Sequence, residues 1–152
     1  MDDVFKKLQL EDADTVYVRG APKEFRPHLD GIASHTHVRS SPSCQKTCSF
    51  VLFFVKSCAE VSQYAELATS KLDRDGQLWF AYPKKSSKRY QSDLSRDSGW
   101  QPLGDLGFES VRQVAIDQDW SALRFRHVEY IPKMARDASR ALSRQGRKKA
   151  SS

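Results

Sequence analysis

The run Phe50-Val51-Leu52-Phe53-Phe54-Val55 constrains this chain more than any other feature. β-branched and aromatic residues with no polar alternation describe a strand buried on both faces, which a chain supplies only at the centre of a sheet. Beyond it, Val61, Tyr64, Ala65, Leu67, Ala68 and Leu72 fall at spacings of three and four and place one apolar stripe on a helix, with Ser57 as its N-cap. Asp73-Arg74-Asp75-Gly76 reads as a turn, and Leu78-Trp79-Phe80-Ala81-Tyr82 as a second buried strand closed by Pro83. Strand, helix and strand at this spacing form a right-handed crossover with the two strands parallel.

The flanking segments extend this unit. Val4, Phe5, Leu8 and Leu10 suit a short packing helix, Thr15-Val16-Tyr17-Val18 a strand, and Arg19-Gly20-Ala21-Pro22 a turn before a short helix over 23–29. Ser34-His35-Thr36-His37-Val38 reads as an exposed edge strand. After a loop at 84–91, Ser92 or Asp93 caps a predicted helix ending near Gly99, and Pro102 opens another that ends near Gly107. Strands at 111–116 and 121–128 around Asp117-Gln118-Asp119 form an antiparallel hairpin. The fold class expected is α/β, a three-layer Rossmann-like sheet, mostly parallel and ending in that hairpin.

A chain of 152 residues buries about two thirds of its unfolded surface, enough for a single core. Residues 1–131 hold 18 Lys/Arg against 18 Asp/Glu, whereas 132–152 hold 7 against 1, which accounts for the whole net charge of +6. The expected organisation is one α/β domain over 1–131 and a basic, partly helical or disordered tail over 132–152. A neutral body does not look shaped for nucleic acid, so weak non-specific contact with nucleic acid or an acidic partner is assigned to the tail. The start of the chain has no secretory pattern and no apolar run approaches membrane length, so a cytoplasmic location with no membrane contact is expected. Cys44, Cys48 and Cys58 cannot all pair within the chain, and reduced thiols follow.

The order strand, helix, strand, short helices and closing hairpin resembles the second half of an S-adenosylmethionine-dependent methyltransferase sheet. Local words are similar to another family. Phe54-Val55-Lys56-Ser57, Trp79 with Ala81-Tyr82-Pro83-Lys84-Lys85-Ser86-Ser87, Ser92-Asp93-Leu94 with Arg96-Asp97 and Gly99-Trp100, Val114-Ala115-Ile116-Asp117, and Trp120-Ser121-Ala122-Leu123-Arg124-Phe125-Arg126 resemble the bacterial domain of unknown function 3052. These words cover about residues 50–127, and the family name brings no activity. Residues 31–48, Cys58 and the length of the basic tail stand outside its pattern.

A methyltransferase of this kind brings backbone close to its cofactor at a glycine-rich turn after the first strand, and reads the ribose with an acidic residue after the second. Here the turn holds one glycine and a proline, and His35-Thr36-His37-Val38 ends without an acid. Position gives a stronger candidate, because ligands of open α/β sheets sit beyond the carboxyl ends of the parallel strands. Two such ends are Lys56-Ser57 and Lys84-Lys85-Ser86-Ser87. Helices starting at Ser57 and Ser92 would aim free amides between them, Arg96 lies a turn away, and Trp120 is placed to stack on a planar ligand. The site expected is therefore a small-anion crevice of Lys56, Ser57, Lys84, Lys85, Ser86, Ser87, Arg96 and Trp120.

His35, His37, Cys44 and Cys48 invite a zinc reading, but their spacing fits no common finger and no metal is expected. Cys58 sits in a first helical turn near Lys56 with no histidine close in sequence to act as base, so an inert thiol is expected. No catalytic motif is evident and no cofactor is assigned. The leading reading is a small-ligand or anion-binding module; the alternatives are a divergent S-adenosylmethionine-dependent methyltransferase and a nucleic-acid-associated accessory protein acting through the tail.

Overall fold

The structure, a computed structural model, describes residues 3–10, 15–40 and 47–131. The expected tail and Cys44 lie outside the described residues. A six-stranded sheet of β1 (Thr15–Arg19), β2 (His37–Arg39), β3 (Cys48–Phe54), β4 (Leu72–Pro83), β5 (Phe108–Ala115) and β6 (Trp120–His127) has the order β2-β1-β3-β4-β6-β5. β2, β1, β3 and β4 are mutually parallel, and the β5–β6 hairpin joins β4 through antiparallel β6. The Rossmann-like, methyltransferase-like arrangement expected from sequence is the one observed.

The apolar run at 50–55 sits where its composition demands, in β3 beside β4 at the middle of the sheet. Its alternate residues feed two cores. Val51, Phe53 and Val55, with Leu78, Phe80 and Tyr82 of β4, pack beneath α3 (Cys58–Ser70) and α4 (Gln101–Gly104) through Val61, Ala65, Ala68, Trp100 and Leu103. On the opposite face Phe50, Leu52 and Phe54, with Trp79, Ala81 and Trp120, meet α1 (Asp3–Lys7) and α2 (Arg26–Ile32) through Phe5, Leu8, Phe25 and Ile32. The rings interlock edge-on, Phe25 on Phe54 at 4.7 Å and Phe54 on Trp120 at 5.2 Å between centroids. Such contacts add to simple burial.

Two expectations are corrected. Asp73-Arg74-Asp75-Gly76 is no turn but an irregular stretch inside β4: Cys48 pairs with Leu72 and Phe50 with Gln77, so the β4 side carries the surplus residues of a bulge. Asp75 is pinned there by a two-pronged bond to Arg126 of β6, at 2.7 and 2.9 Å, and a Cβ on Gly76 would meet the Ser49 carbonyl at 2.8 Å. The helix expected from Ser92 does not form. Leu94 N–H turns back to Ser92 Oγ at 3.0 Å, and Ser95 and Ser98 close a small bridge of their own, so the local side chains satisfy the backbone without a helix.

His35 and His37 are exposed near the β2 edge, whereas Cys48 is sealed in β3, and no group of three or more potential ligands gathers among the described residues. No helix among them is long and apolar enough to cross a membrane.

Candidate functional site

The order of the parallel strands decides where a ligand fits. From β1 the chain crosses to β2 on one side and then back past β1 to β3 on the other, so the switch point lies between the ends of β1 and β3. Gly20, directly after β1, stands at that point with φ +78°, and a Cβ there would meet the carbonyl oxygen of Phe54 at 2.9 Å. Only glycine lets the end of β1 pass so near the end of β3 in this conformation.

Two hollows open from Gly20. The larger, of about 680 Å³, lies beyond β1 and β2 and is walled by Val18, Ala21, Pro22, Leu29, Val38 and Ala33, with Lys23, Arg26, Asp30 and Ser40 at its rim. Arg26 and Asp30 answer one another at 3.3 Å, one helical turn apart. The smaller, of about 350 Å³, lies at the switch point between Arg19, Phe53, Phe54, Lys56, Glu60, Tyr64 and Trp120. Gly20 lines both, so the two hollows adjoin in one concave region at the end of β1.

Of the residues expected in the anion crevice, the structure brings two to this concavity, Lys56 and Trp120. Ser57 caps α3, its Oγ accepting from Glu60 N–H at 3.1 Å. Glu60 reaches back to accept Lys56 N–H at 2.8 Å, and Asp93 accepts Cys58 N–H at 2.8 Å. Three amides at the start of α3 are thus bonded to this protein's own side chains, and a helix N-terminus attracts an external anion through amides left open. Lys85 and Ser86 are exposed on the loop after β4. Lys84 N–H donates to the Asp119 carbonyl at 2.8 Å, and Ser87 Oγ donates to Asp119 Oδ1 at 2.8 Å while accepting from Tyr90 N–H at 3.1 Å. Arg96 is exposed and acts electrostatically on Tyr82, on the α3 side of the sheet, while Trp120 faces the α2 side. These side chains do not converge.

The loop at 84–91 forms a strap instead. From its anchor on Asp119 it runs to Tyr90, whose ring lies 5.0 Å from that of Trp120 and beneath the Lys56 ammonium, also at 5.0 Å. Tyr90 Oη donates to the Glu24 carboxylate, which also takes the Trp120 indole N–H at 3.4 Å and faces Arg89 at 3.7 Å. Burial pushes the Glu24 carboxyl up, yet the Tyr90 hydroxyl, Glu24's own backbone, the indole and Arg89 together hold it below its usual value. The same hydrogen bond to Glu24, followed by burial, raises the Tyr90 phenol. Burial first, then the bond to Asp93 and its charge, also raises the Cys58 thiol, which keeps it in its unreactive form.

Sequence reasoning does not single out Glu24, Glu60 or Tyr90, and it reads Tyr64 only as part of a helix stripe. It weighs the Arg19-Gly20 turn as a cofactor turn and sets it aside for holding one glycine and a proline. Tyr90 and Glu24 meet across 66 residues, and no local pattern announces that pairing.

Neither a family model nor a curated protein sequence matches this chain. Among solved structures, it is similar to the N-methyltransferase NodS from Bradyrhizobium japonicum WM9 in complex with S-adenosyl-L-homocysteine. That match has a TM-score of 0.53 at 11% identity and covers 82% of this chain and 83% of that one. A second NodS structure gives 0.51 at 12%, covering 82% and 92%. At such identities the likeness is one of fold alone: the chain shares a Rossmann-like architecture with that N-methyltransferase.

Proposed function

We propose that this protein is a divergent S-adenosylmethionine-dependent methyltransferase whose nucleoside end occupies the larger hollow. The observation that carries this reading is the pair of hollows that meet at Gly20. A roomy hollow of mixed polar and apolar lining beyond β1 and β2 adjoins a polar crevice at the switch point, which suits a nucleoside-bearing cofactor in the first and a second ligand in the second. The anion module first expected would need open amides at the start of α3, and those of Cys58 and Glu60 are bonded within the protein.

The residues present fit such a ligand in most respects. Val38 and Leu29 offer apolar walls to a base, and Gly20, packed against the Phe54 carbonyl, adds no side chain where the hollows meet. The acid expected after the second strand is absent, since β2 ends at Arg39 and Ser40 follows; Asp30, from α2, is the carboxylate at the rim. When bound, the sulfonium ligand supplies an electrophilic methyl group. The protein's part is to hold it, to place Lys56 and Glu60 beside the crevice, and to exclude water with Tyr64. The resemblance of local words to the domain of unknown function 3052 is matched by no family model and adds nothing to this reading.

The test is titration calorimetry of the full chain with S-adenosyl-L-homocysteine, repeated with Ala33→Trp, which fills part of the larger hollow. Saturable binding that weakens at least about tenfold in the variant, with an unchanged melting temperature, is expected. No heat of binding to the wild-type protein overturns the reading.

A further inference from the structure

We infer that the switch-point crevice binds a small planar carboxylate as the second ligand of this site. That role rests on the methyltransferase reading; the binding itself does not. Arg19 and Lys56 both line the crevice, and among the described residues neither forms an ion pair. Each cation rests instead on a ring, Arg19 on Tyr64 at 5.3 Å and Lys56 on Tyr90 at 5.0 Å. The other described bond of the Arg19 guanidinium is a long one, 3.5 Å to the Ser40 carbonyl. Glu60 is the carboxylate lining the same space, and it already accepts the Lys56 amide. The crevice therefore carries an excess of positive charge held by neutral rings.

Two cations without carboxylate partners in a concave, ring-walled space are what a ligand carboxylate recognises, by charge-assisted hydrogen bonds and by stacking. Tyr64 forms a wall suited to a flat body, and the volume of about 350 Å³ holds one ring with one charged substituent. A cationic ligand would meet Arg19 and Lys56 directly. A large anion such as a polynucleotide would not fit a space of that volume. The chemistry thus points to a small aromatic or similarly planar acid.

The experiment uses isotopically labelled full-length protein and three probes of one shape: benzoate, benzamide and benzylammonium. Benzoate is expected to shift the Lys56 and Tyr64 amides, binding at least about tenfold more tightly than benzamide, with benzylammonium weakest. Lys56→Gln and Arg19→Gln should each weaken benzoate by about tenfold. Lys56 is exposed, so its variant keeps the test valid should Arg19→Gln disturb folding. Equal affinity for benzoate and benzamide, shifts confined to residues 84–89, or no shift at all would overturn the site. In the same samples S-adenosyl-L-homocysteine reads on Ala21, Leu29 and Val38. A response to benzoate without one there sinks the nucleoside reading and keeps the carboxylate site, and the reverse sinks only the carboxylate.

Discussion

The hydroxyl of Tyr90 donates to the carboxylate of Glu24, joining the strap after β4 to the turn that follows β1. This bond ties together two loops at the carboxyl end of the sheet that are far apart in sequence, and its partners titrate in opposite directions.

Glu24 is held below the usual carboxylate value, so its contribution to stability is complete above that value, about 4.3, and fades as pH falls through the lower folded one. Tyr90 is raised, so its contribution is complete below about 10 and fades as pH rises through the folded value. Glu24→Gln should flatten both limbs of the stability–pH curve. At neutral pH it should cost about 1.5 kcal/mol, the lower end for a charged hydrogen bond because the Glu24 side chain is 24% exposed. Chemical denaturation from pH 3 to 11 checks this, and identical limbs in the two proteins would show that the bond carries no net energy.

Cys58 should alkylate slowly at neutral pH, since burial and the Asp93 carboxylate disfavour its thiolate. Asp93→Asn removes the charge and should speed iodoacetamide labelling of the peptide containing residue 58 several-fold. Peptide mapping reads the rate, and equal rates would mean that access rather than ionisation controls the thiol.

Gly99→Ala should be among the most damaging single changes outside the central strands. Gly99 has φ +101°, and an added Cβ would fall 2.3 Å from Leu94 Cδ2 and 3.0 Å from Cys58 Sγ. Backbone strain and overpacking each cost about 1–3 kcal/mol. A drop of several degrees in melting temperature is the expected reading, and an unchanged value would mean that the turn at 95–99 shifts freely.

Lys85→Ala should leave benzoate affinity within about twofold of wild type, because Lys85 is exposed on the strap and outside the crevice. Ser87→Ala should instead raise hydrogen exchange across 85–91, since one hydroxyl anchors the strap to Asp119 and also accepts the amides of Arg89 and Tyr90. Mass spectrometry of the two variants separates charge from anchorage.

What the sequence made legible here was whatever a residue's near neighbours decide. Phe50 to Val55 declared a buried strand by composition, and Ser57 declared a cap because Glu60, its partner, is three residues away. The site was legible only as a region, the carboxyl end of the sheet. Asp93 looked like the start of its own helix, yet it bonds the first amide of α3 across 35 residues. Asp73 to Gly76 has the composition of a turn, and the bond from Asp75 to Arg126 across 51 residues holds it within β4. Lys56 is expected at the site from its place at a strand end, and only the order of the strands brings Arg19 to the same hollow.

β6 lies between β4 and β5 although it follows both in the chain. Until residue 127 has left the ribosome, the apolar edge of β4 from Leu78 to Pro83 has no neighbour, and β5 has nothing to pair with. During synthesis this exposes a flat hydrophobic ladder that another nascent chain can add to. Release of the last strand, rather than collapse of the first four, becomes the moment at which the protein escapes that hazard, and a pause in translation just before residue 120 would prolong it.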